Sequence, residues 1–143
     1  MRRDVLALIV GWTMIAMILP LLVIAAITVW LDDFETALKA FVIPTILAGT
    51  IGISLLSLFV REDTRERLRD REAFAAVALA WPVAVLIGAL PFWFGGVFHG
   101  PFTDYPGIQD LLRGFLNSWF EAMSGFTTTG ATVIDPSMSP NCT

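Results

Sequence analysis

Apolar positions in this chain fall into three long uncharged runs followed by one periodic run. No charged side chain occurs in residues 5–31, 40–60 or 73–98. Each run exceeds the ~20 residues with which an α-helix crosses a hydrocarbon core about 30 Å thick. The pattern predicts three transmembrane helices, each keeping its backbone hydrogen bonds internal as lipid requires. Pro20, Pro44, Pro82 and Pro91 lie inside these runs. Each removes a backbone donor and is expected to bend its helix, with neighbouring helices re-satisfying the freed carbonyls. Gly49 and Gly52, with Ser54 and Ser57 nearby, give the second helix a small-residue stripe suited to close packing.

The fourth segment has a different period. Residues 95–107 are rich in glycine and proline and read as loop. After them Ile108, Leu111, Leu112, Phe115, Leu116, Trp119, Phe120 and Met123 recur at steps of three and four. That is an amphipathic helix over 108–123, with Gln109, Asp110, Arg113, Asn117 and Glu121 off the apolar stripe. At 1.5 Å per residue it is roughly 24 Å long, too short and too polar to cross a bilayer. It suits a helix that dips partway in and packs on others. Asp110 and Arg113, three apart, are expected to form a local ion pair of small worth.

Charge orients the helices. Arg2 and Arg3 precede the first, whereas the 32–39 link holds one basic residue, Lys39. The 61–72 link holds Arg61, Arg65, Arg67, Arg69 and Arg71, and only Arg113 follows the third helix. By the positive-inside rule the N-terminus and the arginine link are cytoplasmic, and residues after 98 start outside. Glu62, Asp63, Glu66, Asp70 and Glu72 bring the arginine link near neutrality, so it reads as a solvated topogenic loop rather than a lipid-binding patch. The apolar run after Met1-Arg-Arg is about twice the ~7–15 residues of a signal-peptide core, which favours a retained helix. Composition agrees with a membrane protein: 56% of residues are hydrophobic and 15% charged, against about 25% charged in soluble domains. The net charge of −4 resides in loops and ends and does not point to a nucleic-acid partner. Cys142 and His99 are each the sole residue of their type, which excludes an intrachain disulfide and leaves no metal-ligand spacing. No nucleophile–base pair or phosphate loop is present, so an enzyme is not expected. Asn141-Cys-Thr143 is a weak match to a glycosylation acceptor.

The candidate chemistry lies in Ser124-Gly-Phe-Thr-Thr-Thr-Gly-Ala-Thr132. A helix entering from outside turns its C-terminal carbonyls, and their partial negative charge, toward the membrane centre. Thr127, Thr128 and Thr129 bring hydroxyls as well as carbonyls, and Gly125 and Gly130 tolerate backbone angles other residues resist. Oxygens arranged in this way can replace a cation's water shell. Irregular backbone survives at membrane depth only if buried in protein or lining a water-filled cavity. Spacing alone leaves a second reading open, an interfacial helix followed by an ordinary external Ser/Thr/Gly loop. Glu121 reads as a polar-face residue tied to neighbouring backbone rather than as an ion or proton relay.

The order of elements, this motif with the preceding Phe120-Glu-Ala-Met-Ser-Gly, and Asp70-Arg-Glu-Ala-Phe74 and Gly88-Ala-Leu-Pro-Phe92 around the third helix, resemble the N-terminal part of the TrkH/KtrB superfamily of potassium transporters, TrkH branch. The resemblance implies an all-α integral membrane protein, folded as four fused units of helix, pore helix, filter loop and helix around one ion path. Residues 1–60 would be the two extra N-terminal helices of that branch, and 61–72 the cytoplasmic link. Residues 73–143 would be the first part of pore unit one: helix 73–98, external loop 99–107, pore helix 108–123, filter loop 124–132 and a truncated tail 133–143. Thr127, Thr128, Thr129, Gly130 and Ala131 would offer carbonyls to K⁺, which is cargo, and no cofactor is implied. Partners would be the bilayer, the remaining pore units, a cytoplasmic TrkA-like nucleotide-binding ring and a second copy in a homodimer. One filter strand cannot encircle an ion, so the sequence looks like a fragment, a truncated frame or one piece of a split protein. The function implied is K⁺ uptake as part of a longer transporter. The alternatives are a non-transporting membrane anchor, which would ignore the threonines, and a small channel of four copies.

Overall fold

A computed structural model describes residues 3–31, 34–59, 70–103 and 107–134. The arginine-rich stretch 61–69 and the tail 135–143, with Asn141, Cys142 and Thr143, lie outside the described residues. Those described form helices and turns with no strand. In order they are α1 (Arg3–Trp30), the single turn α2 (Phe34–Ala37), a π-helical turn (Leu38–Val42), α3 (Ile43–Phe59), α4 (Asp70–Phe94) and α5 (Ile108–Phe126). Three segments are long and apolar enough to cross a membrane: Asp4–Trp30, Phe34–Phe59 and Phe74–Phe94.

The second span begins earlier than its uncharged run. Residues 34–39 contain no helix breaker, and Lys39 pairs with Glu35 across one turn, an i,i+4 spacing that supports a helix. The π turn follows from Pro44. In a regular α-helix its ring would clash with the carbonyl of Ala40, four residues back. The Ile43 amide instead donates to the Leu38 carbonyl five residues back, the bond of a single-turn π-bulge. The third span ends at Phe94 rather than 98. Gly96, at φ +76°, takes the left-handed conformation after the helix, and the Val97 amide caps the Phe92 carbonyl at 3.3 Å.

α1 and α3 pack along each other through small residues. A Cβ added at Gly52 would sit 3.1 Å from the Gly11 carbonyl oxygen, and one at Gly11 3.1 Å from that of Gly52. Backbones this close favour glycine on both sides. The serines of the expected stripe are outside the seam. Ser54 and Ser57 are exposed, and their hydroxyls donate back to the carbonyls of Thr50 (2.6 Å) and Ser54 (3.1 Å). α4 joins the pair where Leu21, Ala48 and Ile87 meet, with Met14, Met17, Phe41 and Val83 around them. Outward-facing Leu19, Trp30, Leu58 and Val77 remain exposed, as suits helices whose solvent is lipid.

α5 packs against α4 by a face that includes only part of the apolar stripe: Phe115, Trp119 and Met123 contact it, and small residues the periodicity did not indicate make the close approach. Gly114, Ser118 and Ala122, spaced four apart, are buried, whereas Ile108, Leu112, Leu116 and Phe120 point outward. Small side chains let the two backbones approach. A Cβ at Gly114 would collide with the His99 carbonyl. The Ser118 hydroxyl is satisfied inside the helix by donating to the Gly114 carbonyl at 2.8 Å. Val85, Ala89 and Ala122 form the shared core, flanked by Trp119 and Met123.

Candidate functional site

The register of α5 on α4 fixes where the Thr/Gly loop starts. Near the C-terminal end of α4, Trp93 meets Phe115 edge-on with ring centroids 5.3 Å apart. Further along, Phe126 packs edge-on against Trp81 at 6.2 Å and lies over Gly88. α5 therefore runs antiparallel beside α4. Counting back along α4 from Phe94 at 1.5 Å per residue, Gly88 is about 9 Å in and Trp81 about 20 Å in. Because that apolar segment runs Phe74–Phe94, α5 ends beside its middle.

The helix ends three residues later than the apolar pattern indicates. Ser124, Gly125 and Phe126 are helical, and Thr127 is the cap. The Thr128 amide donates to the Gly125 carbonyl (3.2 Å) and the Thr129 amide to that of Ser124 (3.0 Å). This pair of bonds is a Schellman cap, which needs one residue in the left-handed region. Here that residue is Thr128 at φ 55°, where a β-branched side chain is rare. Gly125, expected to supply loop freedom, lies within the helix, while Gly130 at φ +71° does use it.

Threonine hydroxyls brace the turn. That of Thr127 donates to the Met123 carbonyl at 2.8 Å and lies 2.8 Å from the Thr129 hydroxyl. Among the described residues, none of the hydrogen bonds recorded around the loop uses the backbone carbonyls of Thr127, Thr128, Thr129, Gly130 or Ala131 as acceptors. All five residues are exposed. Beyond them Glu121 Oε1 accepts the Thr132 hydroxyl (2.7 Å) and the amides of Val133 (2.6 Å) and Ile134 (3.2 Å). Glu121 is thus tied to backbone, but to a segment eleven to thirteen residues away. No local periodicity signals that contact. Ser124 is buried with its hydroxyl unpartnered, also without a sequence signal.

At the other end of α5 an open cleft of about 830 Å³ is lined by Glu35, Lys39, His99, Asp110 and Arg113 among others. The expected Asp110–Arg113 ion pair is not among those formed by the described residues. The Asp110 carboxylate instead turns toward Gly107, the N-cap of α5, where negative charge is favoured by the helix dipole. The described residues contain no cluster of metal-ligating side chains.

Over 96 residues the chain is 36% identical to the Trk system potassium uptake protein TrkH of Halomonas elongata, covering 67% of this chain and 17% of that protein. The chain belongs to the Trk family of potassium uptake proteins. Its similarity to Escherichia coli TrkG is 30% over 101 residues, 71% of this chain and 18% of TrkG. Salmonella typhimurium TrkH matches at 36% over 86 residues, 59% of this chain and 15% of that protein. The matched part of the chain spans about a sixth of the length of these relatives. No protein-family model matches it, and no solved structure does. Trk membership, three apolar spans and the all-helical architecture of the described residues together make it a multi-pass membrane protein.

Proposed function

We propose that this chain supplies the first pore helix and first filter loop of a TrkH-like K⁺ transporter. α5 is the pore helix, and the carbonyls of Thr127, Thr128, Thr129, Gly130 and Ala131 replace part of the ion's hydration shell. The observation that carries this reading is the placement of the loop. It leaves α5 beside the middle of an apolar span, with five consecutive carbonyls that accept none of the hydrogen bonds recorded among the described residues. A solvent-side loop would have no reason to be seated there. The negative end of the α5 dipole at the same level favours a cation. The loop is exposed on this chain, so at membrane depth it needs further protein around it. The remaining pore units would complete the ring, and the outward row Ile108, Leu112, Leu116 and Phe120 gives them an apolar surface. With the N-terminus in the cytoplasm, K⁺ enters from the cleft side of α5. A potential of 100 mV contributes about 2.3 kcal/mol per charge to uptake.

The test is K⁺ against Na⁺ uptake by the complete transporter in cells lacking other K⁺ uptake. Gly130→Ser forces a side chain into a left-handed position, at a cost of ~1–3 kcal/mol. Relieving that strain turns the Gly130 carbonyl away from its place in the loop, so K⁺ preference should fall. Replacing Thr127, Thr128 and Thr129 together with alanine should abolish selective uptake, whereas a membrane anchor would tolerate it. Unchanged K⁺ preference in both variants refutes the filter assignment.

A further inference from the structure

The loop is fastened to α5 twice, and the second fastening is a single carboxylate oxygen. At its start the Schellman bonds hold Thr128 and Thr129 to the helix end. At its exit Glu121 Oε1 receives three donors from three consecutive residues, Thr132, Val133 and Ile134. The Ile134 amide also lies 3.0 Å from the Thr132 hydroxyl oxygen, closing the cluster on itself. No ion pair recorded among the described residues involves Glu121. Its recorded bonds all go to the loop exit. Residues 129–131 span the gap between the fastenings, and there the bonds recorded among the described residues engage the Thr129 amide and hydroxyl.

We propose that Glu121 is the positioning residue of the filter loop: by pinning the exit of the loop to the helix that begins it, it sets the spacing of the carbonyls between and thereby the preference for K⁺. This rests on the filter reading above. Carbonyl ligands discriminate ions by how many they present and how firmly they are held. A loop fixed at one end only would let its carbonyls close around a smaller ion. Three donors converging on one oxygen need a strong acceptor, and an ionised carboxylate forms shorter and stronger bonds than a neutral one. A glutamine oxygen keeps the acceptor in place at lower strength. An alanine removes it and frees the exit.

The test measures K⁺-over-Na⁺ preference and membrane abundance of the complete transporter carrying Glu121→Ala, Glu121→Gln, Thr132→Val or Gly130→Ser. Glu121→Ala should reach the membrane and lose at least about tenfold in preference, as expected from losing several charge-assisted hydrogen bonds. Glu121→Gln should retain most of it. A merely structural role would lower abundance and leave the preference of the surviving protein intact. If Glu121→Ala does not reach the membrane, the near-isosteric Thr132→Val carries the test, with an expected loss of about threefold to tenfold. Normal preference in Glu121→Ala, or in Thr132→Val where that variant must stand in, together with a Gly130→Ser defect overturns the positioning role and leaves the filter reading standing. Normal preference in all four refutes both. A Glu121→Gln defect equal to that of Glu121→Ala also overturns positioning, because charge alone would then set the preference.

Discussion

Gly88→Ala tests the contact that seats the loop in α4. The new methyl carbon would lie 2.7 Å from Phe126 Cε2, about 0.8 Å short of the ~3.5 Å at which carbon atoms attract. Phe126 must therefore move. It is 36% exposed and borders an apolar groove of about 480 Å³ between α1 and α4, so its ring has room to swing. The cost then falls at the low end of the ~1–3 kcal/mol for overpacking, about 1 kcal/mol, with loss of the edge contact to Trp81 adding ~0.5–1.5 kcal/mol. Because Phe126 immediately precedes the Thr127 cap, the displacement is delivered to the loop. Phe126→Leu removes the clashing ring, so it should cost less in the Gly88→Ala background than in the native one. The expected coupling energy in a double-mutant cycle is roughly 1 kcal/mol. The assay is the thermal midpoint of the detergent-solubilised transporter for wild type, both single variants and the double variant. Additive effects, or a Gly88→Ala midpoint equal to wild type, would refute the contact and with it the register of α5 on α4.

Two further predictions concern packing and orientation. Gly52→Ala should destabilise the protein by ~1–3 kcal/mol, because the added carbon meets the Gly11 carbonyl and the side chains of Met14 and Ile15, whereas exposed Ser54→Ala should stay within about 0.5 kcal/mol of wild type; equal thermal midpoints for the two would contradict the α1–α3 seam. In a Cys142→Ser background, His99→Cys should react with a membrane-impermeant maleimide from outside intact cells and Arg67→Cys only after permeabilisation; the opposite pattern would invert the topology.

The three spans were legible because lipid imposes a length and forbids charge, and a run of about 20 residues records both. The existence of α5 was legible for the same kind of reason, since its period is written in Ile108, Leu111, Phe115 and Trp119. Its packing face was legible only in part, through Phe115, Trp119 and Met123. Period locates bulky apolar residues, but the close approach to α4 is made by Gly114, Ser118 and Ala122, which no hydrophobicity pattern selects. The second span hid its start for a related reason: Glu35 and Lys39 look like a link until their ion pair places them on one helix face.

Two helix ends show most directly where sequence stops. α4 ends at Phe94, with Gly96 two residues on in the left-handed position a glycine favours, and Gly95-Gly96 announces it. α5 ends in the same type of cap with Thr128 in the left-handed position, although Gly125 and Gly130 stand on either side. Local preference alone would have put the turn at a glycine. Burial of Ser124, the seating of Phe126 on Gly88 and Trp81, and the Glu121 bonds to residues 132–134 move it to Thr128. Membrane character, span count and the oxygen-rich loop were determined by the sequence, because composition and period are local properties. The place of that loop beside the middle of α4 and the carboxylate that binds its exit were decided by tertiary structure, because each depends on residues far apart along the chain being brought within hydrogen-bond or van der Waals reach.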